Sequence, residues 1–131
     1  MFLDASAIIA IIVRESDAAS LTARLEQAGS VFTSPIAVYE SVLGLARVSR
    51  TSIADATAVL DRFLAEVNAT IMPIDAACGR EAMAAFARFG KRRHGAALNL
   101  GDCFAYACAR MLDVPVLYKG NDFPQTDIGI A

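Results

Sequence analysis

Short apolar segments alternate with helix-forming segments along this sequence, and that alternation limits the possible folds more than any other feature. Strand-like segments lie at residues 1–3, 30–33, 70–74 and 115–118, and helix-forming segments lie at residues 6–13, 18–28, 35–48, 52–67, 76–89 and 100–112. Strands that alternate with helices over short connections pair in parallel, and the helices then cover both faces of the sheet. We therefore predict an α/β fold with an open parallel β-sheet flanked by α-helices on both faces.

The length and hydropathy of the chain bound its class. A chain of 131 residues fits one domain, which we predict to span residues 1–131. Hydrophobic residues make up 56% of the sequence, yet the longest apolar run, residues 5–13, is far shorter than the ~20 residues of a membrane span. No basic segment precedes this run, so a secretory signal is not expected. We expect a cytoplasmic protein without a membrane segment, and the surplus of apolar residues predicts an oligomer.

The cysteines and the histidine argue against a zinc site. Cys78, Cys103 and Cys108 form an odd set without a C-x-x-C pair, which predicts free, buried thiols. His94 is the only histidine, and no group of residues has the spacing of a structural zinc site.

Two predicted helices have clear N-cap residues. Asp17 is the predicted N-cap of one, and Ser34, which precedes a proline, is the predicted N-cap of the next.

Acidic side chains occur where the predicted strands end and the predicted helices begin. Asp4 follows the first strand, Asp122 follows the last, Asp102 opens the last long helix, and Glu40 lies in the early turns of another. Ligands of open α/β sheets collect at the carboxyl ends of the strands. Carboxylates that converge there repel one another unless a cation neutralises them, and Mg²⁺ or Mn²⁺ prefers such oxygen ligands. Each acid also has an ordinary explanation, as a helix cap, a surface charge or a turn residue.

Four segments resemble one known family. MFLDASAIIAIIVRE, PIAVYE, GKRRHGAALNLGDCFAYACAR and VPVLYKGNDFPQTDI are similar, in this order, to the VapC-type toxins of the PIN-domain family. The resemblance implies a PIN-like sheet and a metal-dependent endoribonuclease that acts as the toxin of a type II toxin–antitoxin system. It also implies that Asp4, Glu40, Asp102 and Asp122 are the catalytic acids and hold Mg²⁺ or Mn²⁺. At the fourth position, either Asn121 occupies the place of the acid or Asp122 serves.

The resemblance also implies a role for Ser6 and a set of partners, and the position of Asn99 suggests a further candidate. Ser6 stands two residues after Asp4, where its hydroxyl either orients that carboxylate or a water, or simply caps the helix. Asn99 precedes Asp102 and either helps to hold substrate or serves its own backbone. An RNA substrate, a VapB-type antitoxin and a homodimer are the expected partners.

One basic run is the candidate contact for RNA. The formal net charge is −2, so the chain as a whole is not a basic nucleic-acid binder. Lys91, Arg92 and Arg93, followed by His94, form its one dense basic segment, in a predicted loop at residues 90–99. This segment is either a solvated loop or a contact for RNA phosphates. We expect no catalytic role for His94, because a metal held by carboxylates requires no histidine base.

Other functions remain as alternatives. A catalytically inactive PIN-like module that binds RNA or protein is the main one, although such a module would be expected to lose acids. A phosphatase with an aspartate nucleophile requires a D-x-D motif, but Asp4 is followed by Ala5 and Ser6. A receiver domain requires paired acids near the first strand. Metal-dependent cleavage of RNA distinguishes the favoured function from these alternatives.

Overall fold

The computed structural model describes all residues from Met1 to Ala131. It contains four short strands and six α-helices. The strands are β1 (Phe2–Leu3), β2 (Phe32–Thr33), β3 (Thr70–Ile71) and β4 (Val116–Leu117). The helices are α1 (Ala5–Ile12), α2 (Ala18–Glu26), α3 (Pro35–Ser49), α4 (Ile53–Glu66), α5 (Ala76–Phe89) and α6 (Leu100–Leu112), and one turn of 3-10 helix, η1, spans Phe123–Gln125.

All strand pairs of the sheet are parallel, in the order β3-β2-β1-β4. Phe2 pairs with Phe32 on one side and with Val116 on the other, so β1 is central. The predicted α/β fold with an open parallel sheet is confirmed. Because β1 and β4 lie next to each other, the residues that follow these two strands emerge side by side at the carboxyl edge of the sheet.

Successive residues of a strand point to opposite faces of the sheet, and β1 shows how this divides the core. Phe2 is fully buried in the apolar cluster formed with α5 and α6, whereas Leu3 is fully buried in the cluster formed with α1 to α4. Val116 and Leu117 of β4 divide in the same way. Helices therefore cover both faces of the sheet, as predicted, and the cysteines are free and buried.

One local prediction was wrong, and another was confirmed only in part. The strand predicted at residues 70–74 ends at Ile71, and Pro73, which has no backbone N–H to donate to a ladder, follows soon after it. Asp17 is the N-cap residue of α2, as predicted, but its carboxylate makes no capping hydrogen bond and lies instead 3.5 Å from Nζ of Lys119. None of the helices has the length and apolar character needed to cross a membrane.

Candidate active site

Asp4 occupies the junction between β1 and α1. Its backbone is extended, and its carboxylate caps α1 by accepting a hydrogen bond from the backbone N–H of Ser6 at 2.9 Å. The Ser6 hydroxyl donates a second, short hydrogen bond to the same oxygen. The residue is only 5% exposed, which is unusual for an aspartate with no basic partner. Capping of α1 accounts for the hydrogen bonds to Oδ2 of Asp4, but it does not account for the burial of the carboxylate.

Glu40 reaches the same edge from α3. Ser34 caps this helix and Pro35 takes its first position, as predicted, which places Glu40 in the second turn with a half-buried side chain. Its carboxylate lies against Gly101 of α6, where a Cβ atom would stand only 2.6 Å from the Cδ atom of Glu40. The absence of a side chain at position 101 therefore leaves the space that the Glu40 carboxylate occupies.

Asp102 enters from the start of α6, where it forms a capping box with Asn99. Oδ2 of Asp102 accepts a hydrogen bond from the Asn99 backbone N–H at 2.9 Å, and the Asn99 side chain accepts one from the Asp102 N–H at 3.1 Å. The Asn99 amide thus serves its own backbone, and Asp102 is a cap as well as a candidate ligand. The capping box fixes the direction of the Asp102 carboxylate.

Asp122 lies in the loop that follows β4, and it is exposed. The next residue, Phe123, anchors this loop because its side chain is 2% exposed and its ring packs edge-on against Tyr118 at 5.0 Å between centroids. Asn121 is also exposed, and its carbonyl accepts a hydrogen bond from the Gln125 side chain. Asp122 is the residue of this loop whose charge raises the pKa of both Asp4 and Asp102.

The four carboxylates lie near enough to influence one another's pKa. Burial raises the pKa of Asp4, the hydrogen bonds from Ser6 oppose this, and the charge of Asp122 adds to the rise. Burial raises the pKa of Glu40, and the charges of Asp4 and Asp102 raise it further. Burial raises the pKa of Asp102 to about 6, with smaller contributions from Asp4 and Asp122. Burial and mutual repulsion thus both disfavour the ionised acids.

No basic side chain compensates this charge. The ion pairs of the structure involve Glu15, Asp17, Glu81 and Asp127, and none of the converging acids takes part in one. An all-oxygen donor set that is partly buried and lacks a counter-charge suits a hard divalent ion such as Mg²⁺ or Mn²⁺. The acids are not placed as a finished coordination shell, because no three acidic, histidine or cysteine side chains stand close enough together to hold an ion. The chemistry of the donors fits the ion, and binding requires their side chains to turn towards it.

The basic run lies on an exposed loop beside this edge. Lys91, Arg92 and Arg93 are exposed and form no ion pair, whereas the loop is closed by a bridge between Gly90 and Leu98. The loop reaches η1 and therefore the Asp122 segment, since a Cβ atom at Gly95 would stand 2.6 Å from the Gln125 side-chain oxygen. The basic side chains form no ion pair with the acids, and the Arg93 guanidinium lies over the Phe86 ring at 5.5 Å from its centroid.

His94 is held at the base of this loop. Its Nδ1 accepts a hydrogen bond from the backbone N–H of Ala96, and its ring packs edge-on against Phe89 at 5.3 Å between centroids. These contacts give the histidine a structural role within the loop.

Comparison with known proteins identifies the family. Residues 1–129 match the PIN domain family. A VapC ribonuclease of Rhizobium meliloti is 40% identical over 140 residues, which cover 98% of this chain and 99% of that protein. Ribonuclease VapC36 of Mycobacterium tuberculosis is 37% identical over 98% of this chain and 91% of its own length. The chain therefore belongs to the PIN-domain family and, within it, to the VapC ribonucleases, which confirms the resemblance drawn from its motifs.

A solved structure supports the fold independently. VapC20 of Mycobacterium tuberculosis, described as a toxin that cleaves the sarcin–ricin loop, superposes with a TM-score of 0.76 and 19% sequence identity. The superposition covers 99% of this chain and 97% of VapC20. At that identity, the likeness concerns the arrangement of strands and helices.

Sequence reasoning missed two features of this site. The first is Gly101, which lies within the most family-specific segment but whose role depends on Glu40, a residue far away in the sequence. The second is Lys119, whose backbone N–H donates to the Ser6 hydroxyl at 2.9 Å. A glycine beside a candidate ligand at a helix start was the available signal for Gly101, whereas nothing in the sequence marks the contact of Lys119.

Proposed function

We propose that the protein is a metal-dependent endoribonuclease and the toxin of a type II toxin–antitoxin system. The observation that carries the metal dependence is the uncompensated group of carboxylates at the carboxyl edge of the sheet, formed by Asp4, Glu40, Asp102 and Asp122. The names of its VapC relatives support the ribonuclease activity. Because RNA is the substrate, we place the protein in the cytoplasm.

We assign separate roles in metal binding to the residues of this site. Asp4, Glu40 and Asp102 would hold Mg²⁺ or Mn²⁺, and Asp122 would complete the set from the exposed loop that follows β4. When bound, such an ion lowers the pKa of water and stabilises negative charge on phosphoryl oxygens. The Ser6 hydroxyl and N–H fix the direction of the Asp4 carboxylate, and the capping box fixes that of Asp102.

The basic loop supplies the attraction for the substrate. Exposed Lys91, Arg92 and Arg93 would contact RNA phosphates, because their loop contacts η1 beside Asp122 through Gly95 and no acid neutralises them. Phosphate contacts position a nucleic acid without reading its sequence. Charge reversal in this loop should therefore raise KM more than it lowers kcat, and it should do so for every RNA tested.

Two exposed apolar faces support the proposed partners, a second copy of the chain and a VapB-type antitoxin. One face, on α3, α4 and β3, exposes Tyr39 by 65%, Ile53 by 53% and Ile71 by 48%. The other, on α5 and α6, exposes Met83 by 66% and Leu100 by 66%. Contiguous apolar patches on a small protein are typical of interaction surfaces. Light scattering of the purified chain tests the homodimer, and co-purification with the protein encoded beside it tests the antitoxin.

Cleavage of total cellular RNA is the experiment that tests the proposed activity. Purified wild-type protein should produce discrete fragments with Mg²⁺ or Mn²⁺ and none with a chelator. The Asp102→Asn variant keeps an acceptor for the capping box but loses the charge, so it should be folded and inactive. Cleavage that persists in chelator, or in a folded Asp102→Asn protein, would contradict the proposal. No cleavage by folded wild type with either metal would favour the binding-module alternative.

A further inference from the structure

The hydrogen bonds between β1 and β4 continue beyond the ends of the strands. The last of them is accepted by the Ser6 hydroxyl and not by a backbone carbonyl. In a parallel ladder, the N–H and the carbonyl of one residue bond to the two residues that flank its partner on the neighbouring strand. The N–H donates to the residue before the partner, and the carbonyl accepts from the residue after it. Phe2 N donates to the Pro115 carbonyl at 2.8 Å, and Asp4 N donates to the Leu117 carbonyl at 3.0 Å. The next donor in this series is the backbone N–H of Lys119, whose regular acceptor would be the carbonyl of Asp4.

That regular acceptor is already in use. The Asp4 carbonyl accepts the first hydrogen bond of α1, from Ile8 N at 3.1 Å, because the helix begins immediately after the strand. The Ser6 hydroxyl takes its place and accepts from Lys119 N at 2.9 Å, while its own proton goes to the Asp4 carboxylate. One hydroxyl thus connects the Asp4 side chain to the start of the loop that carries Asp122.

The side chain of Lys119 forms a second attachment between the start of this loop and the rest of the protein. Its ammonium group pairs with Glu15, and it lies 3.5 Å from Oδ1 of Asp17, an oxygen that is buried and has no hydrogen-bond donor. The residue after Lys119 is Gly120, whose φ of 122° suits glycine, so the chain turns sharply towards Asp122 at this point. The start of the loop is therefore attached to the α1–α2 region through both its backbone and its side chain.

We propose that Ser6 and Lys119 are positioning residues that fix the Asp122 loop relative to Asp4, and so set the geometry of the metal site. This inference rests on the proposed function for its effect on metal binding, but not for the contacts themselves. Ser6 acts through a hydrogen bond to the loop backbone, and Lys119 acts through its ion pair with Glu15. Neither residue needs to contact the ion or the RNA.

Amide hydrogen exchange tests the attachment without any metal or RNA. Lys119 is exposed, so its N–H depends on the Ser6 hydroxyl for protection. In Ser6→Ala, exchange of the Lys119 amide should accelerate at least about 10-fold, while core amides such as that of Leu117 stay protected. Ser6→Thr, which keeps the hydroxyl, should restore protection. Unchanged Lys119 exchange in a folded Ser6→Ala protein would overturn the attachment.

Mn²⁺ binding by titration calorimetry tests whether the attachment sets the metal site. Loss of an outer partner typically weakens metal binding by about 10- to 100-fold, so Ser6→Ala should bind Mn²⁺ at least about 10-fold more weakly than wild type and Ser6→Thr. Equal affinity of Ser6→Ala and wild type would overturn the positioning role. If the wild-type protein itself binds no Mn²⁺, the proposed metal function fails, while the exchange data still decide the attachment.

For Lys119, the positioning role and a simple charge effect predict opposite changes in Mn²⁺ affinity. Removal of a positive charge near an acidic site should by itself tighten the binding of a cation. Loss of positioning should instead weaken it, and we expect Lys119→Met to bind Mn²⁺ about 2- to 5-fold more weakly, the range of a partly exposed ion pair. Lys119→Arg keeps the charge and should bind like wild type. Tighter binding by Lys119→Met would show that the lysine acts only as a charge and would overturn its positioning role.

Discussion

Asp127 and the acids at the carboxyl edge of the sheet lie in opposite electrostatic environments. Asp127, near the end of the chain, accepts a hydrogen bond from the Tyr106 hydroxyl at 2.6 Å and pairs with Arg88 at 2.7 Å and with Arg110 at 3.7 Å. These partners lower the pKa of Asp127. At the carboxyl edge, burial and neighbouring acids raise the pKa of Asp4 and Asp102, and no arginine or lysine pairs with either.

We interpret this difference as one between a carboxylate that stabilises the fold and carboxylates that we propose bind a divalent ion. Asp127 joins the C-terminal segment to α5 and α6 through paired charges, so it has its partners within the chain. Burial of an unpaired charge costs free energy, and a fold retains such a group only where something outside the fold compensates it. On this basis, removal of charge at the edge should abolish function at little cost in stability, and removal of charge at Asp127 should do the reverse.

The largest expected effect is that of Asp4→Asn on RNA cleavage. A ligated metal contributes several kcal/mol of transition-state stabilisation, so we expect cleavage to fall by at least about 1000-fold. Asparagine still accepts the hydrogen bonds that cap α1, and a buried charge is lost, so the thermal midpoint should stay the same or rise. Asp127→Asn is the matched control and should cleave RNA like wild type. Comparable cleavage by Asp4→Asn would remove the distinction between the two groups.

Gly101→Ala sharpens the comparison because it adds one methyl group and changes no charge. The new Cβ would overlap the Glu40 carboxylate, which must move away from the edge. Displacement of a catalytic group by about 1 Å can cost about 100-fold in rate, so we expect cleavage to fall by about 10- to 100-fold. Alanine is preferred to glycine in a helix by up to about 1 kcal/mol, so stability should not fall. Full activity of a folded Gly101→Ala protein would show that the position of Glu40 is unimportant.

The fold was predictable from the sequence, because strands, helices and the ends at which Asp4 and Asp102 lie follow from local patterns. The Ser34–Pro35 start placed α3, and therefore Glu40, correctly along the chain. The contact of Glu40 with Gly101 and that of Ser6 with Lys119 join residues that are distant along the chain, so no local pattern contains them. Asp17 was predicted as a cap from its residue type, but its carboxylate lies near Lys119, a partner that only the packed structure supplies.

Asp127→Asn should have a smaller effect, and on stability alone. The side chain is 45% exposed, so solvent screening limits the contribution of its ion pairs. We expect the free energy of unfolding at pH 7 to fall by about 1 kcal/mol, measured by urea denaturation. Glu81→Gln, which removes one other partner of Arg110, is a control that should cost less. A loss of RNA cleavage in folded Asp127→Asn would contradict its purely structural role.

The pH dependence of that stability difference is the smallest effect. A carboxyl group whose pKa is lowered in the folded state stabilises the protein above its unfolded pKa of about 4, and the contribution disappears as the pH falls through the lower, folded value. Wild type and Asp127→Asn should therefore differ in unfolding free energy at pH 6 and converge below about pH 3. A difference that does not change between these pH values would show that the Asp127 charge is not its source.

Mn²⁺ titration of three proteins tests the central claim most directly, which is that the carboxyl-edge acids are unpaired because they hold a divalent ion. Wild type and Asp127→Asn should bind Mn²⁺ with the same affinity in calorimetry, and each should gain about 2.7 kcal/mol in stability at a free Mn²⁺ concentration 100 times its dissociation constant. Asp4→Asn should show neither binding nor stabilisation at the same concentration. Equal Mn²⁺ affinity in Asp4→Asn and wild type would contradict the claim.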